Sequence, residues 1–268
     1  MSNKYIFTGE TKMLWGHTLR RIIAIRKFGQ VEKGQLGGWI SEESNLSHKG
    51  WAWVGDDATV FGEAQVLDGA QVLGNSKVYG KSIVSGNARV KERAHISGSS
   101  VISGNSLVTD SARISDEAMV LGHAQIGGRA CIIENAMVYM NACIRGDARV
   151  GGGTYIYESA SVEGNAVVKG DSCICGEVCV SGGAVVKSGA FISRDSQICW
   201  FTRVGSELGT LTAYLDKNKV LRITRGCFEG TLLEFEEAVQ RKHKHNKNAR
   251  EYEALMQFLR TRFEVPFE

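Results

Sequence analysis

His95 and His123 are the two side chains in this sequence best suited to proton transfer, since an imidazole titrates close to neutral pH and can serve as the base in an acyl transfer. A catalytic imidazole also needs an orienting partner, and the neighbours of His95 are Ala94 and Ile96, with no carboxylate adjacent. The preferred assignment therefore has no catalytic residue, and His95 and His123 stand as the alternative. Seven cysteines occur, at 131, 143, 173, 175, 179, 199 and 227. Their odd number and their spacing suit neither paired bridges nor a tetrahedral metal site, which points to a reducing compartment and to no metal. His243 and His245 lie two apart in RKHKHNK (241–247), a stretch that reads as a solvated connection between two helices.

The bulk numbers place these residues in a soluble chain of 268 residues with a formal charge of only +3. So small a net charge makes no case for nucleic acid, and any electrostatic function must come from where the charges sit. No apolar leader follows Met1 and no run approaches the ~18 apolar residues needed to cross a bilayer, so a cytoplasmic protein with no membrane association is expected. Glycine occurs 32 times and proline once, a balance that fits a closed ladder of strands better than a loop-rich globule.

A strict period of six organises the middle of the chain. From Gly50 the sequence divides into GWAWVG, DDATVF, GEAQVL, DGAQVL, GNSKVY and onward without a gap to WFTRVG at 200–205, and in all twenty-six hexads the fifth residue is Val or Ile. The third residue is Ala, Ser or Thr throughout, except for Val178. A helix cannot keep one face buried at that period, whereas short strands joined by tight corners can. The central Val or Ile points inward, its neighbours point outward, and Gly, Asp or Asn at the first two positions accept the left-handed backbone of a corner. Three hexads close a triangular coil, so the expected fold is an all-β solenoid, a left-handed parallel β-helix of 18 residues per coil. Eight to nine coils at ~4.8 Å each make a prism roughly 40 Å long.

Raw strand edges at the ends of such a prism must be covered. Residues 1–49 are expected to form an N-terminal cap and first coil. In that segment TLRRIIAIRKF (18–28) reads as a strand, and Ile40 and Leu46 fall on the inward register before a two-residue insertion at His48-Lys49. The β-helix is expected over 50–205. Residues 206–268 are expected to form a β-hairpin plus two-helix module, with a hairpin over 211–228 turning at Asp216 to Asn218. A capping box at Thr231–Glu234 opens one helix, and a second box is read at Asn248–Glu251. Tyr252, Leu255, Met256, Leu259 and Phe263 form the apolar face of the second helix.

The repeats VYGKSI, VSGNAR and VEGNAV resemble the hexapeptide-repeat superfamily, and GQLGGWISEESNLS (34–47) resembles the YdcK-like proteins of enterobacteria and their phages. ITRGCFEGTLLEFEEAV and NAREYEALMQFLRTRF are similar to a C-terminal module of phage and prophage proteins. The resemblance implies a left-handed β-helix, often trimeric, and an acyltransferase using acetyl-CoA as the alternative function. If the protein is phage-encoded, it also implies action in the host cytoplasm on a host factor. The chain departs from the enzymes in one respect: they usually interrupt their coils with an extended loop near a catalytic histidine, and no interruption falls between 50 and 205.

Residues eighteen apart stack in columns, so three walls can be told apart. One exposes mixed polar residues, including Gln71, Arg89, Lys91, Gln125, Arg145, Glu163 and Gln197, and should face water. A second shows Ile83, Val101, Met119, Leu121, Met137, Tyr139, Tyr155, Tyr157 and Phe191, with Cys173 and Cys175. Such an apolar stripe is covered either by the C-terminal module or by other copies of the chain, and a homo-oligomer, with a trimer favoured, is the first expectation. The third carries Lys77, His95, Arg113, Arg149, Lys169, Lys187 and Arg203 without an outward acid, and is the expected seat of an anionic small molecule or an acidic partner.

Overall fold

The computed structural model describes residues 3–187 and 189–264. Its body is a parallel β-solenoid of triangular section in which each wall carries eight two-residue strands, from Trp53–Val54 to Phe191–Ile192. Every fifth-position Val or Ile from Val54 to Ile192 is fully buried, each worth about 1.5–3 kcal/mol against exposure. The small third-position residues line the same interior, and where they are serines the hydroxyl turns back to the corner, as when Ser106 Oγ donates to the Ser103 carbonyl at 2.8 Å. Coils are joined by backbone hydrogen bonds such as His95 N to the Ala112 carbonyl and Arg113 N to the Ala130 carbonyl, at 2.9 and 2.8 Å.

The corners explain a feature of the sequence that glycine alone does not. First-position residues have φ near +60°, yet several are acids: Asp56, Asp68, Glu92, Asp110, Asp116, Glu134 and Glu158. Each carboxylate accepts from the backbone N–H of the corner eighteen residues on, as Asp110 does from Gly128 at 2.6 Å and Asp116 from Glu134 at 2.9 Å. A left-handed conformation costs an L-residue about 1–2 kcal/mol. A hydrogen bond to a charged acceptor returns about 1.5–3 kcal/mol, so the acid is tolerated at a corner because it latches the next coil.

At the N-terminal end, β1 (Tyr5–Leu14) and β2 (His17–Ala24) form a hairpin, and β3 (Leu36–Ile40) joins it to the wall that holds Lys77 and His95. β2 overlaps the strand expected over 18–28 but starts one residue earlier and ends at Ala24; β1 was not foreseen. Gly37 and Gly38 let β3 lie close over the first coil, since a Cβ on Gly38 would meet the Ala58 carbonyl oxygen at 2.5 Å. Ile40 pairs with Val60 and Leu46 with Val66, each twenty residues away, so the two-residue insertion falls where it was expected, between Leu46 and Val54.

At the other end the coil stops before the hexad pattern does. Asp195–Gln197 is a short 3-10 turn, and Ile198–Val204 pairs antiparallel with Gly209–Leu215 instead of stacking on the coil below. Leu221–Arg225 and Phe228–Thr231 complete a four-stranded antiparallel sheet, followed by α1 (Leu232–His243) and α2 (Lys247–Phe263). Thr231 and Glu234 form the expected capping box. The second helix begins earlier than expected: its cap is Asn246, whose side chain accepts from Ala249 N at 3.0 Å. Tyr252, Met256 and Leu259 are buried between sheet and helices, with Leu255 and Phe263 packed beside them.

Replacing Asp110 separates the two energies at a corner. Asp110→Ala keeps the left-handed penalty and loses the latch, and is expected to cost about 1.5–3 kcal/mol of unfolding free energy. Asp110→Gly loses the latch but relieves the backbone, and should cost roughly 1 kcal/mol less. Urea unfolding of both variants checks this: equal losses would remove the backbone penalty from the account, and an Asp110→Ala variant as stable as the unmodified protein would remove the latch.

Candidate functional site

The basic residues come from successive coils of one sheet, and strand register decides their order. Lys77 pairs with His95, His95 with Arg113, Arg113 with Cys131 and Cys131 with Arg149, so these five side chains form one outward column at the ~4.8 Å spacing of strands. Lys169 and Lys187 belong to the parallel column on the far side of the inward Val168 and Val186, and the register partner of Arg149 is Val167. Among the described residues none of Lys77, Arg113, Arg149 and Lys169 has an acid within 4.0 Å.

Two expected members fall away. Arg203 is not on this wall, because its strand has left the coil for the antiparallel sheet, and it sits at a bulge with φ 58°. Lys187 is on the wall but is already neutralised by Glu229 at 3.6 Å, beneath the C-terminal sheet. The sequence missed two cations at the other end. Lys12 lies over the Trp39 ring at 4.3 Å, and Arg21, 5.3 Å from the same ring, is already paired with Glu10 at 3.4 Å; β1 and β2 continue the basic sheet outward. Only the pairing of the hairpin with this particular wall brings them in, and no local pattern announces that pairing.

His95 is half-buried between Lys77 and Arg113. Burial lowers its pKa first, and the two flanking cations lower it further, so the imidazole is neutral at pH 7. No carboxylate of the described residues is hydrogen-bonded to it. Burial likewise pushes the Cys131 thiol up despite Arg149 and Arg113, which keeps it a thiol rather than a nucleophilic thiolate. His123 is far from this column: it lies at a corner of the polar wall, lining a shallow groove with Asn87, Arg89, Asn105 and Gln125. The two histidines are therefore not brought together. Gln197 does not face water on the polar wall as expected; its amide oxygen accepts from Ser193 N and Arg194 N and closes the last coil.

The apolar wall is a single eight-stranded sheet. Ile83, Val101, Met119, Met137, Tyr155, Cys173 and Phe191 stack in one outward column, and Leu121, Tyr139, Tyr157 and Cys175 in the next. Tyr139 and Tyr157 stack at 5.0 Å, and the Tyr157 hydroxyl lies 3.6 Å from Cys173 Sγ. Cys179 is not part of this cluster but faces out of the polar wall. The C-terminal module does not cover the stripe: Tyr155 and Phe191 remain 45% and 42% exposed. Beside it, Met140 is 48% exposed at a corner with φ 58°, a left-handed position that a bulky residue occupies at a cost.

No family model matches the chain. An uncharacterised acetyltransferase, YdcK of Escherichia coli strain K12, is 36% identical over 70 residues, which is 26% of this chain. The likeness spans 22% of that protein's length. Together with the solenoid of 18-residue coils, this fits a hexapeptide-repeat protein. Among the described residues no helix is long and apolar enough to cross a membrane.

The electrostatics of the basic column is open to direct measurement. The NMR titration midpoint of His95 should lie below the ordinary histidine value of 6.5, and Arg113→Gln or Lys77→Gln should each move it upward. A midpoint unmoved by either substitution would mean that the three groups do not form one electrostatic unit.

Proposed function

We propose that this chain is a non-catalytic, self-associating binding scaffold that holds an anionic ligand on its basic wall. The observation that carries the proposal is the column Lys77, His95, Arg113 and Arg149, held in strand register without ion-pair partners among the described residues, on coils that no loop interrupts. The charged members Lys77, Arg113 and Arg149 stand on every second strand, about 10 Å apart, and like charges so arrayed on one face repel. A bound anion relieves that repulsion, and the rigid ladder needs no rearrangement to receive it. The apolar wall supplies the means of self-association. Seven coil spacings of about 4.8 Å make it roughly 34 Å long, and its Met and Tyr side chains are of the kinds enriched where protein surfaces meet. A trimer suits three-walled prisms, and solenoids of this repeat commonly form them. The resemblance read in the C-terminal sequence alone extends the proposal to a phage protein that sequesters a host anion or acts on a host factor in the host cytoplasm.

A second function is favoured by one observation, the acetyltransferase name of the E. coli relative. In an acyltransferase the same basic column would hold the phosphates of acetyl-CoA in the cleft between neighbouring subunits, with His95 or His123 as the base. Against it stand the lack of an orienting carboxylate on His95 and the unbroken coils.

Two measurements test these proposals. Met137→Asp with Tyr155→Asp should lower the solution mass to that of one chain, and an unchanged mass would refute association through the apolar wall. In calorimetry, Arg113→Gln with Arg149→Gln should abolish binding of an anionic probe such as inorganic pyrophosphate. Acetyl-CoA binding lost in the same variant, together with acetyl transfer by the unmodified protein, would replace the scaffold by the enzyme.

A further inference from the structure

The C-terminal module contains a cavity of about 170 Å³ that neither wall of the solenoid shares. Its floor is apolar, formed by Phe235, Val239 and Tyr252, and its rim carries Arg225, Lys242 and Glu207. The floor is firmly set: a Cβ on Gly205 would meet the Tyr252 hydroxyl at 2.1 Å, so the chain entering the module lies flat against that ring. Arg225 is the unusual member. Its side chain is only 10% exposed, its Nη2 donates to the Val204 carbonyl at 2.6 Å, and its Nε has no hydrogen-bond partner among the described residues. A guanidinium so far from water needs an anion close by.

The chain's own anion serves poorly. Glu207 reaches to 4.0 Å from Arg225 Nη1 and 3.5 Å from Lys242 Nζ, at the limit of an ion pair, and its side chain is 67% exposed. Pairs of that kind are worth about 0–1 kcal/mol, so the carboxylate is easily displaced. It nevertheless marks the place where a carboxylate can stand, between two cations at the mouth of an apolar pocket.

We propose that this pocket binds a small carboxylic acid with an apolar body, whose carboxylate replaces that of Glu207 between Arg225 and Lys242 while its body rests on Phe235, Val239 and Tyr252. Size and polarity set the class. The cavity is smaller than the roughly 300–1,000 Å³ of pockets for drug-sized ligands, which excludes a nucleotide or a coenzyme. The apolar floor has nothing to offer a free phosphate, whose remaining oxygens would lose water without replacement. The site is independent of the basic wall and of the function proposed for it.

Calorimetry on the full chain with benzoate as the probe tests the assignment, leaving Arg225 in place because its buried side chain also bonds the Val204 carbonyl. Glu207→Gln removes the internal competitor and should tighten benzoate binding about fivefold over the unmodified protein. Adding Lys242→Met should weaken it by a similar factor, and inorganic phosphate should bind more weakly than benzoate to every form. Both substituted residues are exposed, so folding should be unaffected, and circular dichroism verifies that. The proposal is overturned if Glu207→Gln gives no benzoate heat at millimolar concentration, if its affinity equals that of the unmodified protein, or if phosphate binds as tightly.

Discussion

Stacking of one coil on the next is the interaction from which the remaining features follow. Backbone donors in each strand reach the carbonyls of the following coil, and the buried Val or Ile of one strand rests on its counterpart eighteen residues on. No coil can bury its aliphatic residue alone, so stability is collective and nearest-neighbour in character. The same register that stacks the interior also stacks the exterior. A side chain that faces out of a wall therefore stands over another of the same column, and the chemistry of the surface is a chemistry of columns. Lys77, His95 and Arg113 come together because their strands pair, although nothing but sequence spacing relates them.

Charge is partitioned by that geometry in a way net charge conceals. The chain has 32 basic and 29 acidic residues, a near balance. Seven of the acids sit at left-handed corners, where their carboxylates point along the prism and accept from the next corner. There they are engaged with the backbone, and none forms an ion pair with the basic column. The ends of the prism are treated with equal economy. Thr212, Tyr214 and Thr224 place hydroxyls on the exposed edge at Val185 and Lys187, with Tyr214 both accepting from Lys187 N and donating to its carbonyl. At the opposite end the buried Lys4 donates from Nζ to the Ala52 carbonyl at 2.7 Å. Asn45 and Gln197 play matching parts at the two ends, each turning an amide oxygen onto the backbone N–H groups that start a short 3-10 turn.

The solenoid, its inward residues, the insertion after Leu46 and the membership of the apolar wall were all legible, because each depends on a period that burial enforces residue by residue. The same logic explains where legibility ended. Ile198 and Val204 continue the period and are indeed buried, but Ile198 closes the solenoid core whereas Val204 belongs to the core of the C-terminal module. A hydrophobic period reports that a side chain is inside; it does not report which strand its backbone pairs with. Arg203 and Gln197 were misplaced for that reason. β1 escaped notice because its register shifts between Phe7 and Thr11, so its alternation is broken. The pocket at Arg225 was invisible for a different reason: its parts come from a turn, a sheet and two helices with no shared period.

His95 bears on whether the basic wall makes or merely holds. An imidazole flanked by two cations and partly withdrawn from water is a weaker base than a free one, because its protonated form is destabilised by both effects. General base catalysis near neutral pH works best when the catalytic pKa is close to the operating pH, and a carboxylate neighbour would have moved His95 in that direction. The flanking cations move it the other way. An anion bound to Lys77 and Arg113 would offset their charge and raise the imidazole's pKa, allowing His95 to become a third donor to that same anion. In the scaffold we propose, the group is thus coupled to occupancy of the column, and the same electrostatics make it a poorer base for transfer of an acyl group.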